Sequence, residues 1–143
     1  MATASTKEVF NCSVEEFYKI VADYEKYAEF LPEVKSVKIY KNDASGKEME
    51  YHVSLIKTIK YKLKISEVPN KEITFDFIGG DVFKTMRGTW KFKDQDGKCA
   101  VDYNVDATFG MLVPESMAKT LVSANLPLMI NNFKKRVKQV YGK

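Results

Sequence analysis

TIKYKLKI, residues 58–65, alternates apolar and lysine side chains after its first residue. Successive side chains of an extended strand point to opposite faces, so the apolar residues share one face and the lysines share the other. This pattern is typical of an antiparallel sheet with one face on a core and the other in water. The segment therefore predicts a layered protein in which something apolar covers the inner face of the sheet.

The same period of two continues on both sides of this segment, from Val34 to Phe109. It is interrupted by short segments rich in Gly, Pro, Asn and Asp, which predict turns. We therefore expect six strands in this region, joined by hairpins, and a further short strand over Ser5 to Asn11. The last hairpin turns at Asp-Gln-Asp-Gly, residues 94–97, where the glycine favours a bulged loop.

Two short helices are predicted between the first strand and the second. Ser13 is a candidate helix cap, and apolar residues at helical spacing from Phe17 to Tyr24 indicate one buried stripe. A second short helix is expected from about Tyr24 to Phe30. It ends before Pro32, because the residue preceding a proline disfavours the α conformation.

The chain ends in a long amphipathic helix that opens at Pro114. Apolar residues recur there at about every fourth position, which predicts one buried stripe. Pro127 lies inside this pattern, and we expect a kink or brief break there because proline removes a backbone hydrogen bond. At ~1.5 Å per residue over ~27 residues, the helix would span about 40 Å, enough to cross the sheet.

These elements predict an α+β fold. A curved, seven-stranded antiparallel sheet wraps around the long C-terminal helix, and two short helices follow strand 1. We expect a single domain over residues 1–143, because a chain of this length has room for one core. Incomplete wrapping would leave a cavity between sheet and helix.

Composition restricts the class of protein. The chain has 143 residues, a net charge of +4 and 13% aromatic residues. This composition is typical of a globular, mildly basic protein. Cys12 and Cys99 have no CxxC spacing, so we expect buried thiols in a reducing compartment. The N-terminus lacks a secretory signal and no segment has the ~20 apolar residues of a membrane span, which predicts a cytoplasmic location.

Residues that could carry catalysis are sparse. The one histidine, His52, lies on the polar phase of its strand, and a histidine metal cluster is excluded. Asp102, Asn104 and Asp106 share the polar phase of another strand and should point to water. No metal and no cofactor are predicted. Whether the chain is an enzyme stays open, with a non-enzymatic role favoured.

Three strings resemble the START-like (SRPBCC) superfamily and, within it, the polyketide cyclase/dehydrase and coenzyme Q-binding branch. They are FYKIVADYEKYAEFLPEVKSVKI (residues 17–39), RGTWKF (87–92) and FKKRVKQVYG (133–142). The chain is also similar to the bacterial ribosome-association toxin subgroup. The resemblance implies a helix-grip fold around a hydrophobic ligand, with ubiquinone-like quinones as the ligand class in one subgroup and ribosome association as the role of another.

The candidate cavity residues lie on the phases that should face the C-terminal helix, or on that helix. They are Phe30, Leu31, Tyr51, Val53, Tyr61, Leu63, Phe75, Phe77, Phe83, Met86, Trp90, Leu121, Leu126 and Met129. A filled core requires the same apolar phases as a lined cavity, and only the resemblance favours the cavity. Arg87 is also a candidate ligand-binding residue. It is either a solvated strand residue or lies at the cavity mouth, where its guanidinium could hold a carbonyl or a carboxylate of the ligand.

Basic residues form two groups, which the sequence places on the outer sheet face and near the end of the helix. They are Lys57, Lys60, Lys62 and Lys64, and Lys134, Lys135, Arg136 and Lys138. Most such runs are solvated faces, but they also suit an anionic membrane surface or the phosphates of ribosomal RNA.

Three functions are therefore open. The leading hypothesis is binding, transport or chaperoning of a hydrophobic small molecule, an isoprenoid quinone or a lipid, by a protein that also contacts the inner face of a membrane. A second hypothesis is a regulator that associates with the ribosome or RNA through its lysine faces. A third is an enzyme similar to polyketide cyclases or dehydrases, for which no acid–base pair is evident. The oligomeric state is not indicated.

Overall fold

The computed structural model describes residues 2–55 and 57–142. Its strands are β1 (Ala2–Phe10), β2 (Val34–Asp43), β3 (Gly46–Ser54), β4 (Thr58–Val68), β5 (Glu72–Gly80), β6 (Phe83–Gln95) and β7 (Lys98–Phe109). Its helices are α1 (Val14–Val21), a 3₁₀ helix (Tyr24–Glu29), α2 (Glu115–Lys119), a π-helical segment (Thr120–Ala124) and α3 (Leu126–Tyr141).

All seven strands form one antiparallel sheet in the order β1-β7-β6-β5-β4-β3-β2. Consecutive strands pair as hairpins from β2 to β7, while β1 pairs with β7, so β1 and β2 form the two edges of the sheet. The sheet curves round the C-terminal helices. The predicted α+β fold, with its seven-stranded sheet and C-terminal helix, is confirmed.

The helix α1 begins where the sequence predicted a cap. The Ser13 hydroxyl accepts a hydrogen bond from the Glu16 backbone N–H at 3.1 Å, and the Glu16 carboxylate accepts one from the Ser13 N–H at 2.9 Å. This reciprocal capping box satisfies two donors that the first turn would leave unpaired. Phe17, Ile20 and Val21 are then buried against the sheet and α3.

The C-terminal helix is interrupted close to Pro127, where the sequence predicted a kink or brief break, but the break lies upstream of the proline. Pro114 is an extended cap before α2, and the break occupies Thr120–Asn125, just before Pro127. Pro127 lies in the first turn of α3, where its missing N–H removes no helical bond. Because proline cannot continue the α-helical ladder from the preceding turn, the chain changes its pitch upstream and forms the π segment.

The turn of the β6–β7 hairpin is tighter than expected. Gln95 pairs directly with Lys98, so only Asp96 and Gly97 form the loop, with φ of 54° and 84°. Positive φ at both central residues defines a two-residue type I′ turn, whose twist matches that of the strands. The prediction of a bulged loop was therefore wrong.

One end of the space between sheet and helices is filled with aromatic rings, and we call it the packed end. Phe17 of α1 stacks on Phe10 at 4.0 Å between ring centroids and meets Phe92 and Phe133 edge-on at about 6 Å. Both cysteines are buried and no disulfide joins them, as predicted. Burial raises the pKa of the Cys99 thiol to about 12.

Candidate ligand-binding cavity

The opposite end of the same space holds a cavity of about 160 Å³, and we call it the cavity end. Its walls come from the inner face of the sheet, the loop after the 3₁₀ helix, the π segment and the start of α3. Most of the predicted cavity residues line it: Leu31, Tyr51, Val53, Tyr61, Leu63, Phe75, Phe83, Met86, Trp90, Leu121, Leu126 and Met129. Ligand binding by these residues stays a prediction.

Two predicted aromatic residues lie outside the cavity wall. Phe30 packs edge-on against Phe133, with ring centroids 5.1 Å apart, and the guanidinium of Arg136 covers its other side at 5.0 Å. Phe77 is half-buried beside Phe83, 6.1 Å away between centroids. Phe77 lies near the end of β5, and Phe30 lies just outside the 3₁₀ helix. Both rings therefore pack against residues that border the cavity and do not line it themselves.

Arg87 does not reach the cavity. Its side chain is 75% exposed on the outer face of β6, with Nε 3.6 Å from the Asp76 carboxylate across the β5–β6 pair. The reason is the period of two, since Met86 points inward and its neighbour must point outward. Arg87 is therefore a solvated strand residue, and its assignment to the ligand-binding set is corrected.

Glu33 is the buried acidic residue that the sequence analysis missed. Only 8% of it is exposed, it lines the cavity, and its Oε2 accepts a hydrogen bond from Asn125 Nδ2 at 2.7 Å. Glu33 precedes β2, where no alternation marks an inward phase, and Asn125 lies in the helix break. A charge in a loop is normally solvated, so no local signal distinguishes this one.

Several tyrosines bring hydroxyl groups to the cavity wall. The Tyr24 hydroxyl donates to the Glu67 carboxylate at 2.6 Å, and the Tyr27 hydroxyl donates to the Val21 carbonyl. The Tyr51 hydroxyl contacts the Met49 sulfur at 3.4 Å. These three hydroxyls are thus satisfied within the protein and brace its wall.

Two other tyrosine hydroxyls are unpaired. Over residues 2–55 and 57–142, no hydrogen-bond partner is found for the Tyr61 or Tyr103 hydroxyl. Burial raises the pKa of both phenols, and the nearby Tyr103 and Glu33 raise the pKa of Tyr61 further. Both groups therefore stay protonated and can donate or accept a hydrogen bond.

A constrained turn borders the cavity end between β5 and β6. Val82 has φ of 71°, and the Phe83 N–H donates to the Asp81 carbonyl at 2.7 Å. A positive φ is uncommon for a β-branched residue and is held there by its surroundings. The Val82 carbonyl accepts from the Gly110 N–H at 2.9 Å, which ties this turn to the loop after β7.

The basic groups of the outer surface are partly neutralised. Lys60, Lys62 and Lys64 are exposed on β4, but Lys62 faces Glu50 across the β3–β4 pair and Lys64 faces Glu48. On the helix, Lys134 pairs with Glu8 at 3.1 Å and Arg136 with Glu29 at 2.9 Å. Lys135 and Lys138 are exposed. His52 lies 2.8 Å from Glu50 on the outer face of β3, as its phase predicted.

Neither a membrane span nor a metal site is found in the part of the chain that is described. No helix there is long and apolar enough to cross a bilayer. No group of three or more His, Cys, Asp or Glu side chains is placed to hold a metal ion.

Comparison with known proteins gives relatives of two kinds. Coenzyme Q-binding protein COQ10 homolog B, mitochondrial, of Xenopus laevis is 24% identical over 144 residues, which cover 97% of this chain and 59% of that protein. Ribosome association toxin RatA of Vibrio cholerae is 27% identical over 146 residues, which cover 99% of each chain. The chain thus spans about three fifths of the frog protein's length.

Solved structures share the fold. A START superfamily protein from Mycobacterium smegmatis has a TM-score of 0.85 at 20% identity, over 96% of this chain and 98% of that one. The Zhui aromatase/cyclase of Streptomyces sp. R1128 also has a TM-score of 0.85, at 12% identity, over 99% and 97%. A family model described as polyketide cyclase / dehydrase and lipid transport matches residues 11–134. This chain therefore belongs to the family of that model, polyketide cyclase / dehydrase and lipid transport, as its three strings predicted.

Proposed function

We propose that this protein binds a hydrophobic small molecule between the sheet and the C-terminal helices and acts as its carrier or chaperone. The observation that carries the proposal is the cavity itself, whose wall is mainly apolar with a few polar groups. Such a lining is typical of small-molecule sites, where apolar walls give affinity and a few polar groups orient the ligand.

The size of the cavity restricts which part of a ligand it encloses. At about 160 Å³ it is smaller than the ~300 Å³ of a typical drug-sized pocket, but an apolar cavity of about 150 Å³ holds one benzene ring. We propose that a ring or headgroup of this size occupies it. A longer tail would extend past Leu121 and Met129, which are half-buried at the π segment and the start of α3.

An isoprenoid quinone or a lipid is the proposed ligand class. It is supported by the family description, which includes lipid transport, and by the name of the coenzyme Q-binding relative. Native mass spectrometry and solvent extraction of protein purified from its own host are expected to recover such a molecule. Repeated recovery of empty protein, with no affinity for short-tail ubiquinone, short-tail ubiquinol or phospholipid in titrations, would contradict the proposal.

Membrane contact is proposed at the loop after β7. Met111 and Leu112 are 100% and 96% exposed, and this loop is tied through Gly110 and Val82 to the turn that precedes Phe83 of the cavity wall. Two adjacent apolar side chains in water gain free energy by entering the acyl boundary of a bilayer. A ligand drawn from the bilayer would then have a short path to the cavity.

Vesicle flotation tests this contact. The native protein is expected to float with phosphatidylcholine vesicles that contain phosphatidylserine, and the double variant Met111→Asp, Leu112→Asp is expected to stay at the bottom. Val68→Asp is the matched control, because Val68 is also exposed but lies at the far end of β4. Equal flotation of all three proteins would remove the loop from the proposal.

Ribosome association is the second candidate function. It is favoured by the Vibrio relative, whose name states that role and which matches nearly end to end. The partial neutralisation of Lys62 and Lys64 by acidic neighbours weakens a phosphate-binding surface on β4. Co-sedimentation with ribosomal subunits at moderate salt tests it, and unchanged sedimentation of Lys60→Glu, Lys62→Glu, Lys64→Glu would exclude this face.

A further inference from the structure

Glu33 is an unusual component of an apolar ligand cavity. Among the described residues it is the buried acidic side chain, and it lines the void directly. A carboxylate removed from water loses a large hydration free energy unless hydrogen-bond donors replace the water. The contacts that Glu33 makes, and those that it lacks, therefore carry information about the ligand.

The protein supplies one donor to this carboxylate. Asn125 Nδ2 donates to Oε2 at 2.7 Å, across 92 positions of sequence, from the break between the π segment and α3. A carboxylate has two oxygens with about four acceptor positions. Oε1 has no donor among the described residues and belongs to a side chain on the cavity wall. Acceptor capacity is thus left over on a side chain that lines the void.

The hydroxyls near Glu33 do not fill this capacity. Tyr61 is close enough that the charge of Glu33 raises the pKa of its phenol, but the two groups are not hydrogen-bonded. Tyr103 lines the same cavity, and its hydroxyl has no hydrogen-bond partner among the described residues. The wall therefore offers a carboxylate that only accepts and two hydroxyls that can either donate or accept.

We propose that Glu33 selects ligands that bring an O–H or N–H donor into the cavity, such as phenols, hydroquinones and hydroxyl-bearing lipids, over counterparts that carry only carbonyl or ether oxygens. This inference rests on the proposed binding function and names the chemistry of its ligand. A quinone carbonyl placed beside Oε1 would bring two acceptor oxygens together with no proton between them. The hydroquinone would instead donate its O–H to Oε1. A buried polar group discriminates strongly when the wrong ligand leaves it unpaired.

A purely bracing role is the competing explanation for Glu33. The Glu33–Asn125 bond joins the start of β2 to the helix break, and a brace needs one acceptor oxygen only. Glu33→Gln separates the two roles, because the amide oxygen can still accept from Asn125 while the other position becomes an N–H₂ donor. Asn125→Ala is the complementary variant, since it removes the brace and keeps the carboxylate.

The experiment is a calorimetric titration of the full chain with matched ligand pairs. One pair is 4-ethylphenol and 4-ethylanisole, and the other is short-tail ubiquinol and ubiquinone under anaerobic conditions. The native protein is expected to bind the donor of each pair at least about tenfold more tightly, as for a hydrogen bond to a charged group. Glu33→Gln is expected to abolish or invert this ratio, and Asn125→Ala to retain it.

The readout is the ratio of the affinities for the donor and the acceptor ligand, measured on the same variant. A loss of folding stability in that variant lowers both affinities alike and leaves their ratio unchanged. Equal affinity of the native protein for donor and acceptor ligands would overturn the selection by Glu33 and leave the proposed binding function standing. A donor preference that survives in Glu33→Gln would also overturn it. Failure of all four ligands to bind would instead contradict the binding function on which the inference rests.

Discussion

The packed end and the cavity end are built from the same apolar face of the same sheet, yet one is solid and the other is hollow. At the packed end, α1 inserts Phe17 between Phe10 and Phe133. At the cavity end, the sheet is covered by the π segment and the start of α3, whose Leu121 and Met129 are only half-buried. An additional helix supplies the filling side chain at one end, and no element among residues 2–55 and 57–142 supplies it at the other.

The boundary between the two ends explains why a cavity persists in this fold. Trp90 and Phe133 form the boundary, because their rings lie 5.2 Å apart, contact Phe17 on one side and line the cavity on the other. A wall of large aromatic rings keeps the void from collapsing toward the packed end. Stability and binding are therefore expected to reside in different halves of the space.

The largest expected effect comes from Phe17→Ala. Removing a fully buried ring from the packed end is expected to lower the free energy of unfolding by about 3–5 kcal/mol. Phe83→Ala is the matched substitution at the cavity end and is expected to cost at least about 1 kcal/mol less, because its ring already borders a void. Denaturant unfolding measures both, and equal losses would contradict the contrast between the two ends.

Gly88→Ala is expected to affect both stability and binding. A Cβ at Gly88 would lie 2.0 Å from Cζ of Phe75, so the ring has to move into the cavity that it lines. We expect a loss of about 1–3 kcal/mol in unfolding free energy and weaker ligand binding. Gly79→Ala is the control, since nothing lies within 4 Å of its added Cβ. Unchanged binding by Gly88→Ala would show that Phe75 yields in another direction.

Filling the cavity from the helix side should separate binding from stability. Leu121→Trp is expected to weaken binding of short-tail ubiquinol at least about tenfold, because the indole takes up space that the ligand needs. The free energy of unfolding should change by less than about 1.5 kcal/mol, since the added volume enters a void. Leu128→Trp, at a mostly exposed position on α3, is the control for an added indole. If both variants bind like the native protein, the ligand lies elsewhere.

The smallest effect expected near neutral pH is a pH dependence at the packed end, which develops only above pH 9. Burial raises the pKa of Cys99 from 9.0 to about 12, so the folded chain keeps this proton where the unfolded chain loses it. The contribution of Cys99 to the unfolding free energy is therefore full below pH 9 and decreases as pH rises from 9 toward 12. Iodoacetamide should not modify native Cys99 at pH 8, whereas a cysteine introduced by Leu121→Cys should react. Rapid labelling of Cys99 would show that the packed end opens.

Much of the cavity wall could be predicted because it lies on regular strands. The period of two placed Tyr51, Leu63 and Trp90 on the inner face before their neighbours in space were known. The same rule should have excluded Arg87, whose polar phase turns it outward. The pair Glu33 and Asn125 could not be predicted, since one residue lies in a loop, the other in a helix break, and they meet only through the fold.

The sequence by itself determined which side of each strand is buried, where the helices begin, and that an apolar helix has to cover the sheet. These properties depend on neighbours within a few positions, and alternation and capping report them directly. Only the tertiary structure decided whether the covered space is filled. Filling depends on the total volume of side chains that meet from distant segments, such as Phe10, Phe17 and Phe133 at the packed end, and local patterns carry no information about that sum.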